Sequence, residues 1–423
     1  MYKRICLLFL LISLFIDVQS YPVDGYAATG IRRLERLRLI QDGKQAGKNL
    51  PAGALKQSGD IRLHLDTYRS SDSNNLWPAD ARLQKKIEAL FHGRHGSYSL
   101  SVLVLNQGTV LGKASVKDKS VYQPGSVAKI SVAAGLLAEL KTLFPDSVNK
   151  RIHLLKTRMV TAEDWIISDH HDVPLFDIKT EKKSSRPIKS GDVFSLYEWL
   201  DHMLSASSNA AASTVWKEAM LIRAYGKAYP PSSQEEKRFF TETPKKELVE
   251  IAKSVVNSPF LELGIPESEW KLGSFFTGTG KRKVPGGGTG GTTSGMLKIL
   301  TALERGMLVD KWSSLELKKL LYMTARRIRY ASAPSLTSSA VYFKSGSLYK
   351  CKSEPEFKCG KYKGNVNNYM NSVAIVERPD GIIYLVALMS NVLRLNSAVE
   401  HQTLATMIDR IITSLYGATT PEK

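Results

Sequence analysis

The chain has 423 residues, 43% of them hydrophobic and 23% charged, and its length exceeds one average domain, so we expect a core domain with an appendage. Lys and Arg outnumber Asp and Glu by 59 to 40, which gives a formal net charge of +19 and favours anionic surroundings. The basic residues are scattered, however, and no module that combines aromatic and basic residues is visible, so we expect no nucleic-acid partner.

Residues 1–20 have the pattern of a secretory signal peptide. Lys3 and Arg4 precede an apolar run over residues 5–16, and residues 18–20 offer small side chains at the cleavage positions. The run is too short for a membrane span, and no apolar run of about 18 residues follows it. We therefore expect an exported, periplasmic protein whose fold begins after this segment.

Export to an oxidising compartment affects how the cysteines are interpreted. Of the three, Cys6 is removed with the signal, so Cys351 and Cys359 remain. A pair in an oxidising compartment predicts a disulfide, worth about 2–3 kcal/mol for so short a loop, with two unpaired thiols as the alternative. A metal site there is disfavoured because no further Cys or His lies nearby.

Residues 21–80 differ in composition from the rest of the chain and form a basic N-terminal extension. Residues 31–40 predict a short basic amphipathic helix, and polar sequence punctuated by Gly and Pro follows it. Such a helix docks on the body of the protein, contacts a partner or lies on an envelope surface. Docking is the simplest of these interpretations.

Residues 81–423 have the pattern of one compact domain. After a helix, alternating apolar residues predict strands at 97–106 and 109–114, and the C-terminal part repeats this hairpin at 371–378 and 382–390. A closing helix is predicted around residues 397–415, and the chain between the hairpins is mostly helical. We expect an α+β fold in which both chain ends build one antiparallel sheet, with a helical lobe inserted between its halves.

The segment Ser126-Val127-Ala128-Lys129 places a hydroxyl and an amine three residues apart at a predicted helix start, where they share one face. Residues 130–140 are apolar around nearly the whole circumference of the helix, as expected of a buried one. Burial disfavours the charged form of a lysine, and a neutral amine activates a neighbouring serine as a nucleophile. The pattern S-x-x-K alone also occurs by chance.

A second segment, Ser207-Ser208-Asn209, lies between two predicted helices. Ser195 and Glu198 form a capping box that opens the first helix, and the second helix begins at Asn209. One interpretation is a helix N-cap. The other is that Ser207 relays a proton while the Asn209 amide binds a substrate amide.

A third segment, Lys344-Ser345-Gly346-Ser347, lies within a predicted strand over residues 340–350. A glycine in a strand indicates a bulge or the close approach of another backbone, such as a ligand running along the edge. Lys344 would then supply charge for a substrate carboxylate and Ser345 a hydroxyl. The alternative is a charged edge strand that resists aggregation.

Together and in this order, the three segments resemble the S-x-x-K, S-D-N and K-[ST]-G signatures of class A β-lactamases and penicillin-binding proteins. The resemblance extends from about residue 95 to the C-terminus. It implies a five-stranded antiparallel sheet flanked by helices, Ser126 as nucleophile, Lys129 as candidate base and Ser207 as proton shuttle. It also implies an oxyanion hole formed by the backbone N–H groups of Ser126 and Ser347.

The resemblance is weaker in two places. Class A enzymes hydrolyse the acyl-enzyme with a glutamate in E-x-x-L-N, for which Glu269 is the nearest match, with Gly273 in the place of the asparagine. Ser208 stands where S-D-N carries an aspartate. Glu269 is thus a tentative deacylation base.

The leading hypothesis is an exported serine hydrolase that opens the β-lactam amide through an acyl-Ser126 intermediate, without a cofactor. The alternatives are a D-alanyl-D-alanine carboxypeptidase or endopeptidase acting on peptidoglycan peptides, and a catalytically idle envelope-binding module.

One further segment carries residue types that bind metals. Residues 169–172 read Asp-His-His-Asp, but adjacent histidines in an extended segment point to opposite faces. We therefore expect no metal there.

Overall fold

A computed structural model describes residues 22–67, 77–322 and 327–417, so the predicted signal peptide lies outside the described residues. The fold is α+β, and its main sheet has five antiparallel strands, as predicted. The helices are α1 (Tyr26–Thr29), α2 (Arg32–Gln41), α3 (Ala81–Ala89), α4 (Lys129–Leu143), α5 (Val148–Thr157), α6 (Leu196–Leu204), α7 (Asn209–Tyr225), α8 (Ser233–Glu242), α9 (Lys245–Leu261), α10 (Gly278–Lys283), α11 (Thr293–Glu304), α12 (Lys311–Leu321) and α13 (Ala398–Tyr416). The strands are β1 (Ser99–Asn106), β2 (Thr109–Val116), β3 (Met159–Thr161), β4 (Asp172–Phe176), β5 (Lys183–Pro187), β6 (Val193–Ser195), β7 (Trp270–Lys271), β8 (Gly290–Gly291), β9 (Ala340–Lys350), β10 (Asn367–Glu377) and β11 (Ile382–Asn391).

The main sheet joins the two ends of the domain in the order β2-β1-β11-β10-β9. Side chains of β1 alternate between two cores, since successive residues of a strand point to opposite faces. Leu100, Val102 and Val104 pack with α3 and α13, whereas Leu103 and Leu105 pack with the helical lobe. Both faces are therefore covered, and β9 is left at an edge of the sheet.

The helical lobe is built around α4. Almost every residue from Lys129 to Leu140 is buried, in agreement with the apolar run in the sequence. The helix packs against α7 and α9, whose buried faces surround it. This central position places the N-terminal end of α4 beneath the edge strand β9.

The N-terminal extension packs against the body. Ile31, Leu34 and Leu37 belong to the core of the helical lobe, so the apolar face of α2 is occupied. On the same helix Arg33 forms a bidentate ion pair with Asp201 of α6, and both side chains are buried. Contact of this segment with an envelope surface stays a prediction.

Replacement of Arg33 by methionine is expected to lower the free energy of unfolding by about 3–5 kcal/mol, because it leaves the buried Asp201 carboxylate without its guanidinium partner. Arg38→Met on the same helix is the control. Arg38 is 42% exposed and pairs with Glu35 and Asp42 at the surface, so we expect a loss of about 1 kcal/mol or less. Urea denaturation of both variants measures the difference, and equal losses would contradict the assigned role of the buried pair.

The disulfide between Cys351 and Cys359 is present, as predicted, in the loop that follows β9. The hairpin β4–β5 was not predicted from the sequence. With α2 and α6 it encloses a cavity of about 500 Å³, which the residues of the three signature segments do not line. None of the helices within the described ranges combines the length and apolar character needed to cross a membrane.

Candidate active site

Ser126 lies in a short 3-10 helix, Gly125–Ala128, that continues directly into α4. In a 3-10 helix the side chains of residues i and i+3 eclipse one another. The Lys129 Nζ accordingly lies 3.1 Å from the Ser126 Oγ. The predicted pairing of hydroxyl and amine is thus present in the structure.

The Lys129 side chain is fully buried, and its amino group is bound by the turn between α6 and α7. Its Nζ lies 2.5 Å from the Ser207 carbonyl oxygen, 2.8 Å from the Asn209 Oδ1 and 3.5 Å from the Ser207 Oγ. The Phe276 ring covers it, with the centroid 5.1 Å from Nζ. Two of the three signature segments therefore meet at one nitrogen.

The Ser207 hydroxyl connects the third segment to the other two. The Lys344 Nζ on β9 donates to the Ser207 Oγ at 2.9 Å, so this hydroxyl lies between two lysine side chains. Ser207 has a φ of +62°, a left-handed conformation that is uncommon for residues other than glycine. A hydroxyl in contact with two amino groups can pass a proton between them and a substrate atom.

Gly346 lies where the backbone of β9 meets the start of the 3-10 helix. A Cβ added at Gly346 would lie 2.0 Å from the Pro124 carbonyl oxygen and 3.1 Å from the Ser126 nitrogen. One added at Gly125 would lie 2.8 Å from the Ser347 nitrogen. The close approach indicated by the glycine is therefore made by this chain itself, and it brings the backbone of Ser126 near that of Ser347.

Arg329 is a contributor to this site that the sequence analysis missed. Its Nη1 donates to the Gly346 carbonyl oxygen at 2.7 Å. Burial lowers the pKa of its guanidinium, which nevertheless remains charged. Because the Gly346 carbonyl and the Ser347 N–H belong to one trans peptide, they point in opposite directions, and Arg329 orients and polarises that peptide. A lone arginine at the start of a short 3-10 helix carries no sequence signal of such a role.

Glu269 is not brought into this group. Its carboxylate forms an ion pair with Lys298 of α11 at 2.7 Å, and its carbonyl oxygen accepts from the Thr292 N–H at 2.9 Å. In the described part of the chain, its carboxylate makes no hydrogen bond to Ser126 or Lys129. The role of Glu269 as deacylation base stays a prediction without support from these contacts.

The comparisons with known proteins bear on the family and the fold of the chain. The family model described as "Beta-lactamase enzyme family" matches residues 82–416. The structure resembles a class A beta-lactamase from Bacteroides cellulosilyticus, at 14% identity and a TM-score of 0.50, over 79% of this chain and 98% of that chain. It also resembles the TLA-3 extended-spectrum beta-lactamase, at 14% identity and a TM-score of 0.51, over 79% of this chain and 98% of that chain.

A third similar structure is PBP-A, at 13% identity and a TM-score of 0.50, over 81% of this chain and 100% of that chain. No match was found among curated proteins. The solved structures are similar in fold, and the family model covers most of the chain. The chain therefore belongs to the beta-lactamase enzyme family.

Proposed function

We propose that this protein is a serine hydrolase that opens the β-lactam amide by forming an acyl-Ser126 ester. The observation that carries the proposal is the contact of the Nζ of the fully buried Lys129 with the Oγ of the half-buried Ser126 at 3.1 Å. The hydroxyl of Ser207, between Lys129 and Lys344, supplies the second proton-transfer group that amide cleavage requires.

In the proposed reaction the neutral Lys129 amine accepts the Ser126 proton, and the Ser126 Oγ attacks the carbonyl carbon of the amide. The oxyanion of the tetrahedral intermediate accepts hydrogen bonds from the backbone N–H groups of Ser126 and Ser347. Collapse of the intermediate breaks the C–N bond, and the Ser207 hydroxyl donates a proton to the leaving nitrogen. Lys129 returns its proton to Ser207, which leaves the acyl ester and a neutral amine.

The contacts around Lys129 favour slow release of the acyl group. Hydrolysis of the ester needs a base that activates water, and one of the side chains that cover Lys129 is the apolar ring of Phe276. The Glu269 carboxylate is bonded to Lys298 instead. These contacts favour a second candidate function, a penicillin-binding D-alanyl-D-alanine peptidase acting on cell-wall peptides.

Two assays with the purified protein separate these functions. A fluorescent penicillin followed by gel electrophoresis measures acylation, and a chromogenic cephalosporin measures turnover. The β-lactamase predicts fast cephalosporin turnover without a persistent label, and the peptidase predicts labelling of Ser126 that persists for many minutes together with slow turnover. Absence of both turnover and labelling would overturn the proposal in favour of an idle envelope-binding module.

Glu269→Gln is expected to change the rate of acyl-enzyme hydrolysis by less than about threefold, because the Glu269 carboxylate is bonded to Lys298. Glu267→Gln is the matched control, since Glu267 is a surface residue that pairs with Lys271. The decay of the fluorescent penicillin label measures the rate. A loss of about 100-fold or more in Glu269→Gln alone would identify Glu269 as the base.

Export to the periplasm is part of the proposal. The motif at residues 1–20 and the disulfide between Cys351 and Cys359 support it, since disulfides persist in oxidising compartments. Mass spectrometry of the protein expressed in a Gram-negative host should find a mature chain that begins near residue 21 in the periplasmic fraction. A full-length chain in the cytosol would contradict export.

A further inference from the structure

The segment 169–172, whose residue types can bind metals, makes hydrogen bonds to the turn between α6 and α7. Within the described ranges no three His, Cys, Asp or Glu side chains are grouped so as to hold a metal ion. The segment instead passes beside the turn that carries Ser207 and Asn209, and its first residue, Asp169, makes the contact.

The Asp169 carboxylate is 4% exposed and accepts hydrogen bonds with both oxygens. Its Oδ2 accepts from the Ser208 Oγ at 2.7 Å and from the Ala210 N–H at 2.9 Å. Its Oδ1 lies 2.6 Å from the His171 Nδ1 and accepts from the His171 N–H at 3.2 Å. Asp169 thus bonds to a residue on each side of Asn209.

These hydrogen bonds stabilise a backbone conformation at Ser207 that is otherwise unfavourable. Ser207 has a φ of +62°, and such strained residues persist when surrounding contacts over-determine them. Ser208 is bound on three sides, since its N–H donates to the His202 carbonyl at 3.0 Å and its Oγ also accepts from the Ala211 N–H at 3.1 Å. The hydrogen bond to Asp169 completes this set.

The charge of Asp169 also suits its position. It lies at the N-terminal end of α7, where the helix dipole favours an anion. Burial raises the pKa of Asp169. The opposing effect is larger: hydrogen bonds from His171, Ala210 and Ser208, together with the charge of His171, lower the pKa well below its usual range. A carboxyl with a lowered pKa keeps its stabilising effect above the pKa of the unfolded state and loses it as the pH falls through the folded value. Asp169 therefore stays ionised throughout the usual assay range.

We propose that Asp169 is a positioning residue that supplies, from a neighbouring segment, the carboxylate that the S-D-N motif carries in its middle position. Ser208 occupies that middle position here and donates its hydroxyl to Asp169. Through Ser208 and Ala210, the carboxylate holds the Ser207 hydroxyl and the Asn209 amide toward Lys129 and Lys344. This inference rests on the proposed acylation of Ser126.

A double-mutant cycle that exchanges the two side chains tests the proposal. Asp169→Ser removes the acceptor of Ser208 and Ala210, and Ser208→Asp brings two carboxylates into contact. We expect each single variant to acylate about 10- to 100-fold more slowly than wild type with a fluorescent penicillin, since a small displacement of positioned groups has effects of this size. The double variant keeps one carboxylate and one hydroxyl at the turn, and we expect its rate to return to within about threefold of wild type.

A second measurement does not depend on activity. Amide hydrogen exchange at Ala210, followed by NMR, should be faster in Asp169→Ser and slow again in the double variant. Asp172→Ser, which removes an exposed carboxylate from the same segment, is the control and should match wild type in both measurements. If Asp169→Ser does not fold, Asp169→Asn with and without Ser208→Asp provides the same comparison.

The outcomes separate this inference from the function on which it rests. If the wild-type protein is not acylated, the proposed function fails and the positioning role fails with it. If the wild type is acylated but Asp169→Ser reacts at the same rate, or the double variant stays as slow as the slower single variant, the positioning role alone is overturned.

Discussion

Replacing Ser126 by alanine is expected to abolish acylation of the protein by β-lactams. The Ser126 Oγ forms the new bond to the substrate in the proposed reaction, and removal of a nucleophile lowers the rate of such reactions by about 10⁴-fold or more. The fold should survive, because a hydroxyl is removed from a residue that is half-buried. Intact-protein mass spectrometry after incubation with a penicillin should show the mass of one acyl adduct on the wild type and none on Ser126→Ala.

Ser120→Ala is the control for this experiment, since Ser120 lies six residues earlier and belongs to none of the signature segments. It should acquire the adduct at the wild-type rate. A Ser126→Ala protein that still acquired the adduct would overturn the whole assignment, because the nucleophile would then lie elsewhere.

Replacing Lys129 by methionine is expected to slow acylation by about 10²- to 10⁴-fold, the usual contribution of a positioned general base. Methionine is an unbranched apolar side chain only one heavy atom shorter than lysine, so most of the buried space beside Phe276 stays filled. The rate of labelling by a fluorescent penicillin measures the effect, and circular dichroism confirms that the variant is folded.

Lys129→Arg distinguishes a base from a fixed positive charge. A guanidinium keeps the charge but does not give up its proton in proteins. If Lys129 accepts the Ser126 proton, the arginine variant should be as slow as the methionine variant. Acylation of Lys129→Arg at close to the wild-type rate would show that charge alone suffices, and the base would have to be sought among the other contacts of Ser126.

Local sequence signals predicted much of the fold. Alternation of apolar residues identified the two hairpins of the main sheet, and the observed strands agree to within a few residues with the predicted ones. The capping box at Ser195 and Glu198 and the start of α7 at Asn209 were identified in the same way. The β4–β5 hairpin was missed because β5 is polar and largely exposed and therefore lacks an apolar alternation.

The candidate site was predicted in part. Three short segments in a fixed order identified Ser126, Lys129, Ser207 and Lys344, which the structure brings into contact. Glu269 was selected by its similarity to a motif, and such a match does not determine which way a side chain turns. In the structure its carboxylate is bonded to Lys298.

The sequence by itself determined the order of the S-x-x-K, S-x-N and K-S-G segments and the helix start, turn and strand in which they lie. These segments carry the chemistry proposed for Ser126. Helix starts, turns and strands depend on neighbouring residues and can be recognised locally. The tertiary structure alone decided which distant groups support them. Ser207 meets Lys344 across 137 residues, and Ser208 meets Asp169 across 39. Such partners depend on how the sheet and the helical lobe pack together, and no local pattern encodes that packing.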